Sequence, residues 1–350
     1  MASVTSLQNR KVRAGIAGAG LMGPWHARAI RKAGGEVVGI ADTNETQTGR
    51  LVSKFSTSRG FSDVEEMLSE IDLDVLHVCT PVKSHREIAE LGIKAGVSLI
   101  VEKPLSQTAA ETKLLYELAD RHRVSLLPVH QFPFQSGVAK AKTFIPKIGQ
   151  IIHMQASICS AGGAGLDVEE RDVIAADILP HPLSLFQSVF NDVLPKENWV
   201  VTRPDSGELR IEGLTRGISL SIFVSMNARP TSNSFHIFGT NGTIHLDLFH
   251  GFSIVEEGKV SRSRKILHPF DLAIRNSAVA TVNLVRRTLD RETAYPGLSS
   301  LVHRFYQYLK GNADPVITAE QAINIAEIRD LLIDRAGILE SADRQSAAGK

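Results

Sequence analysis

Three sets of residues in this sequence have the types and spacing that chemistry requires. The first is Gly18, Gly20 and Gly23 in VRAGIAGAGLMGPWHARAI, a G-x-G-x-x-G run between an apolar strand pattern and a helix pattern. In that context the first glycine permits a tight turn and the second lets backbone approach a pyrophosphate. The third lets the helix pack closely on the strand. Leu21 and Met22 complete the loop, and the helix behind it turns its N–H groups and positive dipole end toward phosphate oxygens. Taken alone, the triplet is explained as well by ordinary turn glycines. It gains weight from Asp42, which closes the second strand pattern, EVVGIAD, and is followed by Thr43. The separation matches the roughly 20 residues after which an acid accepts hydrogen bonds from a ribose hydroxyl. The same carboxylate repels a 2′-phosphate, and TNETQTG brings no adjacent arginine. NAD is therefore expected over NADP, with a solvated turn aspartate as the competing reading.

The second set lies at strand ends, where open α/β sheets bind their ligands. DVLHVCTPVKSH ends a strand pattern at Thr80 and Pro81, with His85 just beyond, and SLIVEKPLS ends the next at Glu102, Lys103 and Pro104. A lysine between an apolar strand and a proline turn has a fixed backbone and reduced hydration. A surface charge at a turn is the bland alternative. The third set is Asp177 and His181 in VIAADILPHPLSLFQSVF. Four residues apart, they share a helix face if the segment is helical, although Pro180 and Pro182 require a regular helix to begin near Asp177 or just after Pro180. An imidazole near neutral pH can take the proton from an alcohol as hydride leaves its carbon. By itself such a pair is more often a surface or capping pair.

The elements that must position these residues follow from patterning. From residue 12 to about 128, strand patterns at Val12 to Ala17, Glu36 to Ala41, Asp74 to Thr80, Ser98 to Val101 and Val124 to Val129 alternate with helix patterns. The helix patterns are Pro24 to Lys32, Asp63 to Glu70, Ser84 to Ala95 and Ser106 to His122, and Ser84 with Glu87 has capping-box spacing. Alternation of this kind predicts a doubly wound parallel sheet. After residue 130, IGQIIHMQASICS, ELRIEGLT, GISLSIFVSM, NSFHIFGT and GTIHLDL predict a mainly antiparallel sheet, with a hairpin at Asn241 and Gly242. Helix patterns return at Pro182 to Phe190, Asp271 to Leu289, Leu298 to Leu309 and Ala319 to Arg335. The expected class is α/β. A Rossmann domain over 1–130 precedes an α+β substrate and oligomerisation domain with a large open sheet over 131–340, and residues 341–350 form a flexible tail.

The glycine triplet, the strand ending at Asp42, the CTP run and above all EKP resemble the Gfo/Idh/MocA family of NAD(P)-dependent oxidoreductases, most closely over residues 12 to 131. The resemblance implies that Lys103 is the catalytic lysine beside nicotinamide and substrate oxygen, and that Pro104 follows a peptide bond that is often cis in the family. It implies Thr80, Pro81 and His85 along the cofactor, Glu102 near the nicotinamide ribose, and Gln131 where relatives carry Asn or Arg. In the second domain it makes His181 the acid/base and places Asp177 beside it. The motif here reads DILPH, without the family's internal glycine, and the glycine-rich AGGAG lies upstream at 161 to 165.

The resemblance implies a dehydrogenase or reductase for a sugar, cyclitol or sugar derivative. A redox-neutral epimerase or lyase using tightly bound NAD is a second reading, and a non-catalytic ligand sensor a third. Lys and Arg number 39 against 38 Asp and Glu, so no whole-chain field attracts nucleic acid or a membrane surface. A small polyhydroxy molecule is the expected partner, together with further copies of the chain as a dimer or tetramer. Cys79 and Cys159 have no zinc-site spacing, so no metal is expected. The N-terminal residues lack a secretory pattern, and no stretch of about 20 apolar residues is expected to span a bilayer. The expectation is a cytoplasmic protein. The remaining histidines, His26 and His77 among them, form no ligand spacing, and the basic runs at Arg262, Arg264 and Lys265 and at Arg286 and Arg287 read as solvated faces.

Overall fold

The structure is a computed structural model that describes residues 7, 8, 10–258, 264–289 and 294–338. Arg262 and the proposed tail at 341–350 lie outside the described residues, as do the side chains of Arg264 and Lys265. The chain divides into two compact units, Met1–Gln131 with Gly297–Ala326, and Phe132–Pro296 with Glu327–Lys350.

In the first unit the strands are β1 (Arg13–Ala17), β2 (Glu36–Ala41), β3 (Arg59–Phe61), β4 (Val75–Val78), β5 (Ser98–Val101) and β6 (Leu126–Pro128). Among the described residues they form a six-stranded sheet in the order β3-β2-β1-β4-β5-β6, and every pairing is parallel. This is the doubly wound order, and its strand order reverses between β1 and β4, where a crevice opens beyond the carboxyl ends. Helices on both faces demand near-continuous apolar strands, and β4 and β1 comply with buried Val75, Leu76, Val78, Ala14 and Ile16.

β3 and the helix Glu45–Val52 add to the elements expected from the sequence. Asn44 caps that helix by accepting from the Gln47 N–H, a local N-cap signal too short to show in the hydrophobic periodicity. The expected capping box at Ser84 does not form. Val82–Ser84 is a 3-10 turn, the helix starts at His85, and the Ser84 hydroxyl instead bonds Thr80 Oγ1 and the Pro81 carbonyl, both at 2.9 Å. The helix Leu298–Leu309 also belongs to this unit and packs against Gly23–Lys32.

The second unit holds β7 (Ile151–Cys159), β8 (Val200–Thr202), β9 (Glu208–Thr215), β10 (Ile218–Ser225), β11 (Ser232–Gly239), β12 (Gly242–Asp247) and β13 (Phe252–Glu257). They form a seven-stranded sheet in the order β13-β12-β11-β7-β10-β9-β8. It is antiparallel apart from the β7 and β10 pair, so the sheet is mixed and mainly antiparallel, and the expected β11–β12 hairpin forms with its turn at Thr240 and Asn241, one residue earlier than the Asn-Gly pair. One face buries Met154, Ala156, Ile158, Phe235 and Ile237, and Phe186 meets Phe235 at 5.6 Å between ring centres.

Phe186 comes from Val168–Phe190, which by length and composition alone is apolar enough to cross a membrane, contrary to the sequence expectation. It is two helices, Val168–Ile178 and Pro180–Phe190, that bury Leu179, Leu183, Leu185 and Phe186. These are the features of a core segment of this unit.

Candidate active site

The glycine cradle sits between β1 and β4. Gly18 has φ +98°, a conformation glycine adopts without cost, and a Cβ there would lie 2.8 Å from the carbonyl carbon of Cys79 and 2.9 Å from the Thr80 nitrogen. At Gly23 a Cβ would strike the Gly18 carbonyl oxygen. Gly20 differs, because its Cβ would meet only Gln47 Oε1, at 3.5 Å. Two glycines are thus required by packing, and the third leaves backbone open to a ligand. Leu21 is exposed, and Met22 occupies the N-cap of Gly23–Lys32 with Pro24 in the first turn.

Asp42 follows β2 and is anchored on both oxygens. Oδ2 accepts the Ala19 N–H at 2.6 Å, and Oδ1 accepts the Asn44 N–H at 2.8 Å. A carboxylate held by two backbone donors stays where a ribose hydroxyl could reach it. Thr43 stands between these anchored residues.

The ends of β4 and β5 are tied together by His85, which is buried. Its Nε2 lies 2.7 Å from the Thr80 carbonyl oxygen, and its Nδ1 2.9 Å from that of Pro104. Pro81 lies between Thr80 and the 3-10 turn. The Lys103–Pro104 peptide is cis, as the resemblance implied. Glu102 is 9% exposed and accepts the Lys103 backbone N–H at 3.2 Å. Its other oxygen lies 3.0 Å from His26 Nε2.

Beyond β6, His130 and Gln131 are buried. Burial first, and the nearby Lys103 ammonium second, push the His130 imidazole down to about 3. A ring held neutral can accept a hydrogen bond from a ligand or from an ammonium. His130 Nδ1 and Gln131 Oε1 have no partner among the described residues, and buried polar atoms left so cost about 1–3 kcal/mol each. Open backbone at Gly20, a fixed carboxylate at Asp42 and these two polar atoms fit a dinucleotide along the carboxyl edge of the sheet.

In the second unit, Asp177 lies in the last turn of Val168–Ile178 and His181 in the first turn of Pro180–Phe190. Leu179 between them keeps right-handed helical dihedrals, φ −53° and ψ −35°, so the spacing of four is helical in effect. The first helix begins earlier than the sequence reading allowed. Asp167 and Glu170 form a full capping box, a D-x-x-E signal that was readable. Pro180 then opens the second helix, where its missing N–H is harmless.

Asp177 Oδ1 accepts from Arg329 at 3.1 Å, and the Arg329 side chain is 10% exposed. The His181 ring stacks on Phe132, with centres 4.1 Å apart and planes at 7°. Neither Arg329 nor Phe132 was singled out in the sequence, because each lies far along the chain from its partner. His26, His77 and Tyr306 were missed likewise. A histidine in the otherwise apolar strand VLHV was the available signal, since a buried polar side chain requires a partner.

Residues 12–130 match the family model described as the oxidoreductase family, NAD-binding Rossmann fold, of the Gfo/Idh/MocA group. The chain is 26% identical over 199 residues to D-apiose dehydrogenase of Paraburkholderia graminis, a match covering 55% of this chain and 53% of that protein. It is 25% identical over 249 residues to levoglucosan dehydrogenase of Pseudarthrobacter phenanthrenivorans, covering 60% of each. The matched regions therefore span somewhat more than half of these curated relatives. A solved levoglucosan dehydrogenase in complex with NADH and levoglucosan superposes with a TM-score of 0.74 at 18% identity, over 94% of this chain and 98% of that one, so the two share a fold. Residues 12–130 thus carry the pattern of the NAD-binding Rossmann fold of the Gfo/Idh/MocA oxidoreductases.

Proposed function

We propose that the protein is an NAD-dependent oxidoreductase that transfers hydride between the nicotinamide and an alcohol or ketone carbon of a sugar, cyclitol or sugar derivative. The observation that carries this reading is Lys103, seated at the carboxyl end of β5 beyond the same sheet edge as the glycine cradle and Asp42. The names of the sugar and polyol dehydrogenases to which the chain is similar support the substrate class.

NAD, when bound, supplies the hydride acceptor. Gly18, Gly20, Leu21, Met22 and Gly23 hold its phosphates in this reading, Asp42 and Thr43 its ribose, and Thr80, Pro81, His85, Glu102 and Gln131 the stretch toward the reacting ring. Lys103 hydrogen-bonds the substrate oxygen and stabilises the negative charge that develops on it. His181 takes the hydroxyl proton. Phe132 fixes the plane of the His181 ring and Arg329 fixes Asp177, which leaves Asp177 to steady the substrate or the imidazolium. The reading places residues 1–130 as the nucleotide domain and 131–340 as the substrate domain, except that Gly297–Ala326 belongs to the first unit. It also makes the protein a cytoplasmic dimer or tetramer, which fits two free cysteines and a sheet face carrying half-exposed His153, Gln155 and Ser157.

The test is a panel of sugars, cyclitols and their derivatives, followed by absorbance of reduced nicotinamide with NAD and NADP in parallel. Net NADH should form with one substrate class, with NAD preferred by about 10-fold or more from the Asp42 charge and hydrogen bond. Product formed without net NADH would instead identify a redox-neutral enzyme. Failure to bind either nucleotide would end the proposal.

A further inference from the structure

Behind Lys103, on the interior side of the first unit, four polar side chains form one chain of hydrogen bonds. Glu102 Oε1 lies 3.0 Å from His26 Nε2, His26 Nδ1 lies 2.9 Å from His77 Nδ1, and His77 Nε2 lies 2.9 Å from the Tyr306 hydroxyl. Both imidazoles are 0% exposed, and Tyr306 is 1% exposed. The rings meet edge to face, at 81° between His26 and His77 and 85° between His77 and Tyr306. Three separate elements deliver the two imidazoles and the phenol. His26 comes from Gly23–Lys32, His77 from the middle of β4, and Tyr306 from Leu298–Leu309. Tyr306 fits because position 35 is glycine, where a Cβ would lie 2.7 Å from Tyr306 Cε2. An apolar interior does not assemble such a set by default, since each buried polar group costs free energy unless it is paired.

Counting protons gives the chain a direction. A carboxylate only accepts, so His26 Nε2 carries a proton and donates it to Glu102. The two facing Nδ1 atoms share one proton. If His26 held it, His26 would be an imidazolium, His77 would present Nε2–H to Tyr306, and the hydroxyl proton of Tyr306 would be buried with no acceptor among the described residues. If His77 holds it, every proton has an acceptor: Tyr306 donates to His77, His77 to His26, and His26 to Glu102. This second arrangement avoids an unmet donor, which costs about 1–3 kcal/mol, a bias of about 5-fold or more between the two states. Burial first, and His26 second, hold the His77 imidazole well below its ordinary value. Burial first, and Asp74 second, hold the Tyr306 hydroxyl well above its own. Both effects keep His77 neutral and Tyr306 protonated, which either arrangement requires, so the direction rests on the count of donors and acceptors.

We propose that Tyr306, His77 and His26 are positioning residues that form a one-way donor chain, fixing Glu102 as an oriented carboxylate and, through it, the backbone and field around Lys103. The link to Lys103 is direct, because the Glu102 oxygen that does not face His26 accepts the Lys103 N–H. The role in turnover rests on the reading of Lys103 as the reacting lysine, whereas the direction of the chain does not.

Two measurements on the full-length, NAD-saturated protein test the proposal. Nitrogen NMR of histidine-labelled protein, assigned with His26→Gln and His77→Gln, should show His77 protonated at Nδ1 and His26 at Nε2 near neutral pH. A doubly protonated His26, or His77 protonated at Nε2, would overturn the direction. Tyr306→Phe keeps the ring and removes the terminal donor. It should shift the His77 and His26 nitrogen signals, displace the pH profile of kcat and lower kcat by about 3- to 10-fold, the loss of one buried hydrogen bond, with KM for NAD changed less than about 2-fold. Unchanged kcat and pH profile with shifted nitrogen signals would show that the chain does not act on Lys103. Full turnover in Lys103→Ala would instead remove the catalytic reading while leaving the tautomers as a separate result.

Discussion

Lys103 follows a strand whose last three side chains, Leu99, Ile100 and Val101, are fully buried. Glu102 faces His26 with one oxygen and accepts the Lys103 backbone N–H with the other, and His130 is kept uncharged by burial first and by Lys103 second. An ammonium beside a neutral ring and an oriented carboxylate is suited to stabilising negative charge on a substrate oxygen. Lys103→Ala should therefore lower kcat by about 10²- to 10⁴-fold, the range for removing one proton-transfer or charge-stabilising group. NAD affinity by titration calorimetry should change less than about 3-fold, because the phosphate and ribose contacts belong to other residues. An equal loss of binding and rate would assign Lys103 to the cofactor alone. At this scale the sequence disclosed the residues whose neighbours in the chain carry the meaning, such as EKP and the glycine triplet. It concealed those defined by a distant partner. Arg329 meets Asp177 across 152 positions and Tyr306 meets His77 across 229, and single-chain patterning carries no information about such pairs.

The elements were legible where periodicity was strong and obscure where an element was short. β2, β5 and the helices Leu298–Leu309 and Ala319–Arg335 run over the residues that patterning picked out. β3 has three residues, two of them exposed, and no periodicity can emerge from so short a run. Pro180 and Pro182 point to a helix start near Asp177, whereas Asp167 and Glu170 start Val168–Ile178 ten residues earlier through their capping box. At Ser84 the reverse happened, since the capping spacing existed but the hydroxyl found Thr80 first. The loop between β1 and Gly23–Lys32 gives the element-scale prediction, because its three glycines are constrained for different reasons. Gly18→Ala and Gly23→Ala force a Cβ into backbone and should lower stability by about 1–3 kcal/mol in denaturant unfolding, as overpacking does. Gly20→Ala adds a methyl at ordinary contact distance, so its unfolding midpoint should stay close to that of the parent. Its NAD affinity should still fall by about 10-fold or more, the loss of about 1.4 kcal/mol or more of close backbone contact. A Gly20→Ala protein that binds NAD normally would show that the pyrophosphate does not approach this backbone.

For the whole molecule, a near-balanced charge of +1 leaves little general electrostatic force to drive unfolding in mild acid, so the response to pH falls to particular buried groups. His77 and His130 in the first unit are the clearest. Both are buried, and both imidazoles are held below the ordinary value of 6.5 by burial first, with His26 second for His77 and Lys103 second for His130. Above 6.5 neither state of the chain protonates them, and their neutral forms contribute fully to the fold. As pH falls below 6.5 the unfolded chain binds protons that the folded chain refuses, so stability declines, and for His130 the decline continues to about 3. Each such group contributes up to about 1.4 kcal/mol per pH unit in this window. Denaturant unfolding of the full chain should therefore show a plateau near neutrality and a steep loss once the medium is below 6.5. His130→Gln should flatten the slope by about one proton's worth relative to the parent, even if it lowers stability overall, because a glutamine has no proton to take up. A slope that His130→Gln leaves unchanged would mean that the ring takes up its proton as readily in the folded protein as in the unfolded chain, and that it is not held neutral beside Lys103.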